Sequence, residues 1–440
     1  MNSMRRFIVL RSVGHVNRDA AGAHSRAKSF QRLTWTGLLL SAWTLSVAAA
    51  AAGEPAHPTT EVRTKTQVLT GKLVASDQSG ICLVDRYGRL EILTASTIVS
   101  QRTINQRFRF AGTSDFRTHL STETPKSSEI RVGNRYIVRG VPGKTDAYHS
   151  LLQTAYREVE RYFRVHGFDT HEPESLLVAI VFSSSKEFAE YCRKDGVDWS
   201  PGLRGYYSQK SNRIALYDEA TSARTSQIDK GVSNKEADLF RSPFRVPEMS
   251  SDHRSHFAAS VGSLHAATAA TLIHEATHQI AHNIGIHSRM SPTPTWVIEG
   301  LATVLEAPGM RKSSPQSTLR SRVNQERLDW FREKLTPRRQ IGDLAGMIAS
   351  DELFKTRTLD AYSQAWAITY FLTESPLRAR QFAAYLKKAQ AGMSERPHTA
   401  EQRLKDFQSV FGDVARLDVE FARFMEDISN TSAGSVSAND

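Results

Sequence analysis

The sequence predicts an α+β fold: a domain with a mixed sheet, a helix that carries the chemistry and a C-terminal helical lobe, preceded by a small all-β module. Three observations predict it. Short strands separated by turns fill residues 68–99. A strand, an amphipathic helix, an unbroken apolar strand and a hairpin follow between residues 135 and 217. Helical patterns take over from residue 263.

Residues 1–52 are set apart by composition. An apolar run at 34–52 follows Arg5, Arg6, Arg11, Arg18, Arg26, Lys28 and Arg32 and precedes Gly53-Glu54-Pro55. A basic flank, an apolar core and a small-residue exit describe a secretory signal peptide. An uncleaved membrane anchor is the alternative, since about 18 apolar residues can span a bilayer. Either way the chain is expected to be exported, to the periplasm, the cell envelope or the extracellular medium.

Export weakens any argument from charge. The formal net charge is +11, but those seven basic residues against Asp19 account for six of it, leaving +5 on residues 54–440. No stretch combines clustered basic residues with base-stacking aromatics, which argues against a nucleic-acid partner. Cys82 and Cys192 lack C-x-x-C spacing and fall in separate regions, so they are expected as two small buried side chains rather than a disulfide. Nothing in the composition specifies an oligomeric state.

Residues 53–66 are polar and contain proline, which suits a linker. In residues 67–112 the apolar segments 71–75, 81–84 and 90–93 are separated by Asp77-Gln78-Ser79-Gly80 and Asp85-Arg86-Tyr87-Gly88, the pattern of a β-meander in a small SH3-like module. Residues 130–429 make the main domain. After a strand at 136–138, Tyr148, Leu151, Leu152, Ala155, Val159, Tyr162 and Phe163 recur at helical spacing. Residues 176–182 are continuously apolar and belong at the centre of a sheet. Residues 205–217 read as a hairpin. Residues 219–256, rich in Ser, Asp, Arg and Lys, read as a surface insertion, either a lid or a loop without a role. A basic connector at 311–321 leads to helices at 359–373, 377–391 and 399–425, and the small polar tail 430–440 is expected to be disordered.

The chemistry is concentrated in His274-Glu275-Ala276-Thr277-His278, on a proline-free stretch that Gly285 is placed to end in a left-handed turn. Residues four apart share a helix face, so His274 and His278 can direct neutral imidazoles at one ion. Glu275 projects beside them, where a carboxylate can take a proton from water that a metal has acidified. Twenty residues separate His278 from Glu299, which lies in Trp296-Val297-Ile298-Glu299-Gly300 on a helix with Trp296, Leu301, Val304 and Leu305 as its apolar face. A carboxylate in so apolar a segment is costly unless something positive pairs with it. Glu299 is therefore the candidate third ligand of zinc, leaving a fourth position open. His282 extends the same face but lies about 12 Å along the axis from His274, too far to share one coordination sphere. Taken singly, buried histidines are usually hydrogen-bonded core residues, and His265 and His282 are read that way.

HExxH with a distant Glu in a W-x-x-E-G-L-A helix resembles the gluzincin branch of zinc metallopeptidases. The metzincin pattern fails, because Ala281 and Ile284 stand where it needs Gly and His. From about residue 135 to 427 the chain is similar to a little-studied family of bacterial gluzincin-like proteins classed as a domain of unknown function. Residues 135–138, 176–182, 186–191, 205–208, 212–217 and 361–366 carry the similarity together with the metal motifs. The resemblance implies a zincin-like metallopeptidase domain, Zn2+ on His274, His278 and Glu299, Glu275 as general base, and a peptide or protein substrate. In the aminopeptidase branch a tyrosine opening a Y-x-x-G helix hydrogen-bonds the tetrahedral intermediate. Tyr362 of Tyr362-Ser363-Gln364-Ala365 is similar, with Ala365 in place of the glycine. The other reading makes Tyr362, Trp366, Tyr370 and Phe371 the buried face of a helix. His287 is a further candidate donor. The resemblance also makes the 205–217 hairpin the strand that would bind substrate backbone. A rival reading is a non-catalytic zinc-stabilised scaffold for peptide or envelope polymer, although structural zinc alone has no need of a base at Glu275.

Overall fold

The computed structural model describes residues 58–123, 128–219, 221, 264–290, 293–312, 316–391 and 399–437. The expected export segment and nearly all of the 219–256 insertion lie outside the described residues. Among the described residues, no helix is long and apolar enough to cross a membrane.

The α+β class holds. The N-terminal sheet has five antiparallel strands, β1 (Pro58–Thr64), β2 (Val68–Ser76), β3 (Gly80–Val84), β4 (Leu90–Thr94) and β5 (Ile98–Arg107), in the order β4-β3-β2-β1-β5. This corrects the linker reading of residues 53–66. From Pro58 to Thr64 the segment is a strand, and β1 pairs with both β2 and β5. Its signal is weak because a small sheet has a shallow core, so only Thr60 and Val62 point fully inward. Ladder bonds on both sides satisfy its backbone regardless of side-chain polarity.

The second sheet, β6 (Glu129–Val132), β7 (Tyr136–Gly140), β8 (Leu177–Phe182), β9 (Gly205–Ser208) and β10 (Arg213–Tyr217), runs β6-β7-β8-β10-β9. Central β8 is parallel to both neighbours and every residue of it is buried. It is apolar throughout because both faces are covered. Ile137, Val178, Ile180 and Ala215 pack under α1 (Thr113–Thr122) and α3 (Ser185–Asp195). Tyr136, Val138, Ala179, Val181 and Leu216 face α2 (Thr145–Val165) and α4 (Ala266–Asn283). Cys82 and Cys192 are buried and unbridged.

The antiparallel β9–β10 hairpin is held from three directions. Gln279 of α4 donates to the backbone carbonyls of Val178 and Asn212 at 3.1 and 2.7 Å, and Asn283 exchanges side-chain bonds with Asn212. Arg289, in the loop after α4, donates to the Gln209 carbonyl at 2.8 Å, and Leu90 N–H of β4 donates to the Lys210 carbonyl at 2.8 Å. Asn212 takes φ +57°, a left-handed value that asparagine tolerates better than bulkier residues.

The C-terminal part is helical: α5 (Thr295–Glu306), a series of short helices between residues 308 and 356, then α6 (Thr358–Glu374), α7 (Pro376–Ala391), α8 (Ala400–Phe411) and α9 (Val414–Ser437). The helix expected at 399–425 is two helices, parted at Gly412 with φ +80°. The tail 430–440, expected to be disordered, is helical to Ser437, because a helix already nucleated gains one hydrogen bond per added residue. Arg311, read as the start of a basic connector, lies in the helix Pro308–Lys312 and is 1% exposed.

Candidate metal centre

Helix α4 presents two stripes at four-residue spacing. His274, His278 and His282 make one; Glu275, Gln279 and Asn283 make the other, which faces the hairpin. The helix begins on His265 with extended backbone and gives way to Gly285 at φ +92°, the left-handed turn expected from sequence. Helix α5 brings Glu299 against it.

His274, His278 and Glu299 converge. Their ligand atoms all lie within 4.8 Å of one another, and all three residues are buried. The two Nε2 atoms are 3.1 Å apart, and Glu299 Oε2 is 3.4 Å from one and 3.5 Å from the other. Those carboxylate distances exceed the usual N–H···O range. Glu299 Oε2 is buried with no hydrogen-bond partner, and so is Glu275 Oε2. A carboxylate oxygen left unpaired between two imidazole nitrogens costs free energy that a divalent cation would recover, and two nitrogens with one oxygen is a zinc donor set. The electrostatics agree. Burial alone would lower the His274 imidazole, but the Glu299 and Glu306 carboxylates reverse this and raise it to about 10. Burial likewise opposes the ionised form of Glu299, yet His278 and His274 hold it well below the ordinary carboxylate range.

Glu306 was not singled out by the sequence. It ends α5, two turns beyond Glu299 on the same face, and its Oε1 lies 2.8 Å from His274 Nδ1. Asn324 Nδ2 donates to Glu306 Oε2 at 2.6 Å and to the Thr303 carbonyl at 3.2 Å. This carboxylate fixes the ring orientation of His274 and turns Nε2 toward His278 and Glu299. The seven-residue spacing from Glu299 was the available signal.

Residues 268–396 match the model of a family described as a protein of unknown function, DUF1570. None of the curated proteins matches the chain. The matched span contains α4 from Thr268 onward, α5 and α6, and with them His274, Glu275, His278, Glu299, Glu306 and Tyr362.

Around the centre, burial raises the Glu275 carboxyl above its usual range, the imidazoles of His274 and His278 oppose the rise and Glu299 adds to it. The Tyr207 backbone of β9 also opposes the rise. Tyr362, in the second turn of α6, sits with its ring 6.5 Å from the His274 ring and its hydroxyl facing Glu299. Burial, then the charges of Glu299 and Glu275, raise its phenol so that it stays protonated. Trp366, Tyr370 and Phe371 are buried in the core, so the packing reading fits them while Tyr362 reaches the cluster. His282 contacts Gln209 at 3.3 Å and stacks on Tyr207, away from the three ligand atoms. His287 packs on His282 with ring centroids 5.1 Å apart, and burial and the nearby His278 charge lower it to about 3.

Gly300 explains part of the W-x-x-E-G-L-A pattern. A Cβ there would stand 2.7 Å from the Ala365 carbonyl oxygen and collide with Thr369 Oγ1. Helices α5 and α6 cross so closely that the residue after Glu299 must lack a side chain, and this crossing carries Tyr362 to the His274–His278–Glu299 cluster.

Proposed function

We propose that this chain is an exported zinc-dependent metallopeptidase of gluzincin type, with a zincin-like main domain. The observation that carries the reading is the convergence of His274, His278 and Glu299 with Glu275 beside them, its Oε2 buried without a hydrogen-bond partner. Zinc held by these three residues would supply Lewis acidity, polarising the scissile carbonyl and acidifying water. Glu275 takes the water proton and passes it to the leaving amine, and burial makes it a stronger proton acceptor than an ordinary carboxylate. The protonated Tyr362 hydroxyl donates to the oxyanion as it forms. Edge strand β9, which packs against α4 beside Glu275, is where an extended substrate would add by backbone hydrogen bonding. The export part of the reading rests on the composition of residues 1–52.

The burial of all three ligands also suits a non-catalytic scaffold, since structural zinc sites are closed. One experiment separates the two. Zinc content is measured on purified residues 54–440, and cleavage of a diverse unstructured peptide library is followed for wild type and Glu275→Gln. The peptidase reading expects one zinc per chain in both proteins and cleavage only by wild type. Zinc without cleavage by either protein would favour the scaffold, and absence of zinc would remove both readings.

A further inference from the structure

We infer that Arg311 is a positioning residue for the metal centre, acting through Glu306; the inference rests on the zinc reading above. Arg311 is 1% exposed and its guanidinium reaches two elements at once. Nη1 donates to the carbonyls of Leu305 and Glu306, both at 2.6 Å, at the C-terminal end of α5. Nε donates to Glu158 Oε2 at 3.1 Å, on α2. The last carbonyls of a helix have no intrahelical partner and carry the negative end of its dipole, so a buried cation there both satisfies them and anchors them.

The anchored residue is the one that orients a ligand. Glu306 contributes its carbonyl to Arg311 and its carboxylate to His274 Nδ1, while Asn324 takes the other carboxylate oxygen. Its backbone and side chain are thus fixed from three sides. The final residue of a helix ordinarily frays, and a frayed Glu306 would hold the His274 ring loosely. The Glu158–Arg311 pair ties the helix end to α2, which packs beside α4 and therefore moves with His274 and His278. Lysine could not do the same work, because a point charge lacks the planar fork that serves a carboxylate through Nε and two carbonyls through Nη1.

The test is zinc affinity, measured by competition with a chromophoric chelator at fixed pH. It compares wild type, Arg311→Lys, Glu306→Gln and the double variant Arg311→Lys/Glu306→Gln. Arg311→Lys is expected to bind zinc about tenfold more weakly in the wild-type background and within about twofold of its parent in the Glu306→Gln background. Such non-additivity would not arise from a general loss of packing. Equal zinc affinity in wild type and Arg311→Lys overturns the inference, and so does a full tenfold loss in both backgrounds. Should Arg311→Lys fail to fold, Glu158→Leu/Arg311→Met removes the pair without leaving a buried charge. Folded and as tight for zinc as wild type, that variant also overturns the inference; folded and at least tenfold weaker, it upholds it. A wild-type protein that binds no zinc defeats the zinc reading itself, an outcome distinct from wild type and Arg311→Lys binding equally.

Discussion

Glu306 Oε1 stands 2.8 Å from His274 Nδ1, and the same carboxylate accepts from Asn324 at 2.6 Å. The pair joins the end of one helix to the middle of another and decides which nitrogen of His274 faces Glu299. Glu306→Ala should leave the fold intact and weaken zinc binding by about 10- to 100-fold. Chelator competition reads this directly, and unchanged affinity would show that the contact does not serve the metal.

Tyr362 distinguishes a catalytic hydroxyl from a packing residue. Tyr362→Phe keeps the ring against His274 and Phe354 and removes only the donor. A transition-state donor predicts kcat lower by about 100-fold, KM within about twofold and full zinc content. Steady-state kinetics on a peptide identified in the library screen gives the split. Wild-type kcat would assign Tyr362 to the core.

Gly300→Ala introduces a methyl group 2.7 Å from the Ala365 carbonyl, a backbone atom that cannot swing aside. Separating α5 from α6 should cost about 1–3 kcal/mol and shift Glu299 relative to the histidines. Urea unfolding of the metal-free protein measures the first effect and zinc competition the second. A variant with wild-type values in both would mean that the crossing is wider than described.

Asp218 gives the fold a dependence on acid. It is fully buried, accepts from Lys144 at 3.0 Å and is hydrogen-bonded by Tyr148. Burial pushes its carboxyl up, but the Tyr148 hydroxyl, the Thr221 backbone and Lys144 outweigh that and depress it below 3.8. A depressed carboxylate contributes stability that is complete above its unfolded value and is lost as pH falls through the folded one. Asp218→Asn should therefore cost about 3 kcal/mol at pH 7, since it strands Lys144, and progressively less below pH 3.8. Thermal unfolding of both proteins across that range checks the sign; a stability gap that widens on acidification would contradict it.

Much of the fold was legible where side-chain pattern and environment coincide. The unbroken apolar run of β8 marked a strand covered on both faces, and Tyr148 through Phe163 marked α2. Strand β1 was not legible, because its ladder is made by backbone groups that polar side chains do not advertise. The break at Gly412 was available as a glycine but stood inside an otherwise good helical pattern. Arg311 misled by composition: followed in sequence by polar and basic residues, it is a buried ion-pair partner of Glu158.

The sequence alone determined that His274 and His278 share one face with Glu275 beside them, because helix geometry fixes the relation of residues one and four apart. It also made Glu299 suspect, because an acid in an apolar helix demands a partner. Only the tertiary structure decided that Glu299 meets both imidazoles, that Glu306 braces His274, and that Tyr362 comes within reach. Those relations depend on how α4, α5 and α6 cross, and a crossing is set by packing at positions such as Gly300 and Ala365, for which no local spacing in the chain supplies the angle.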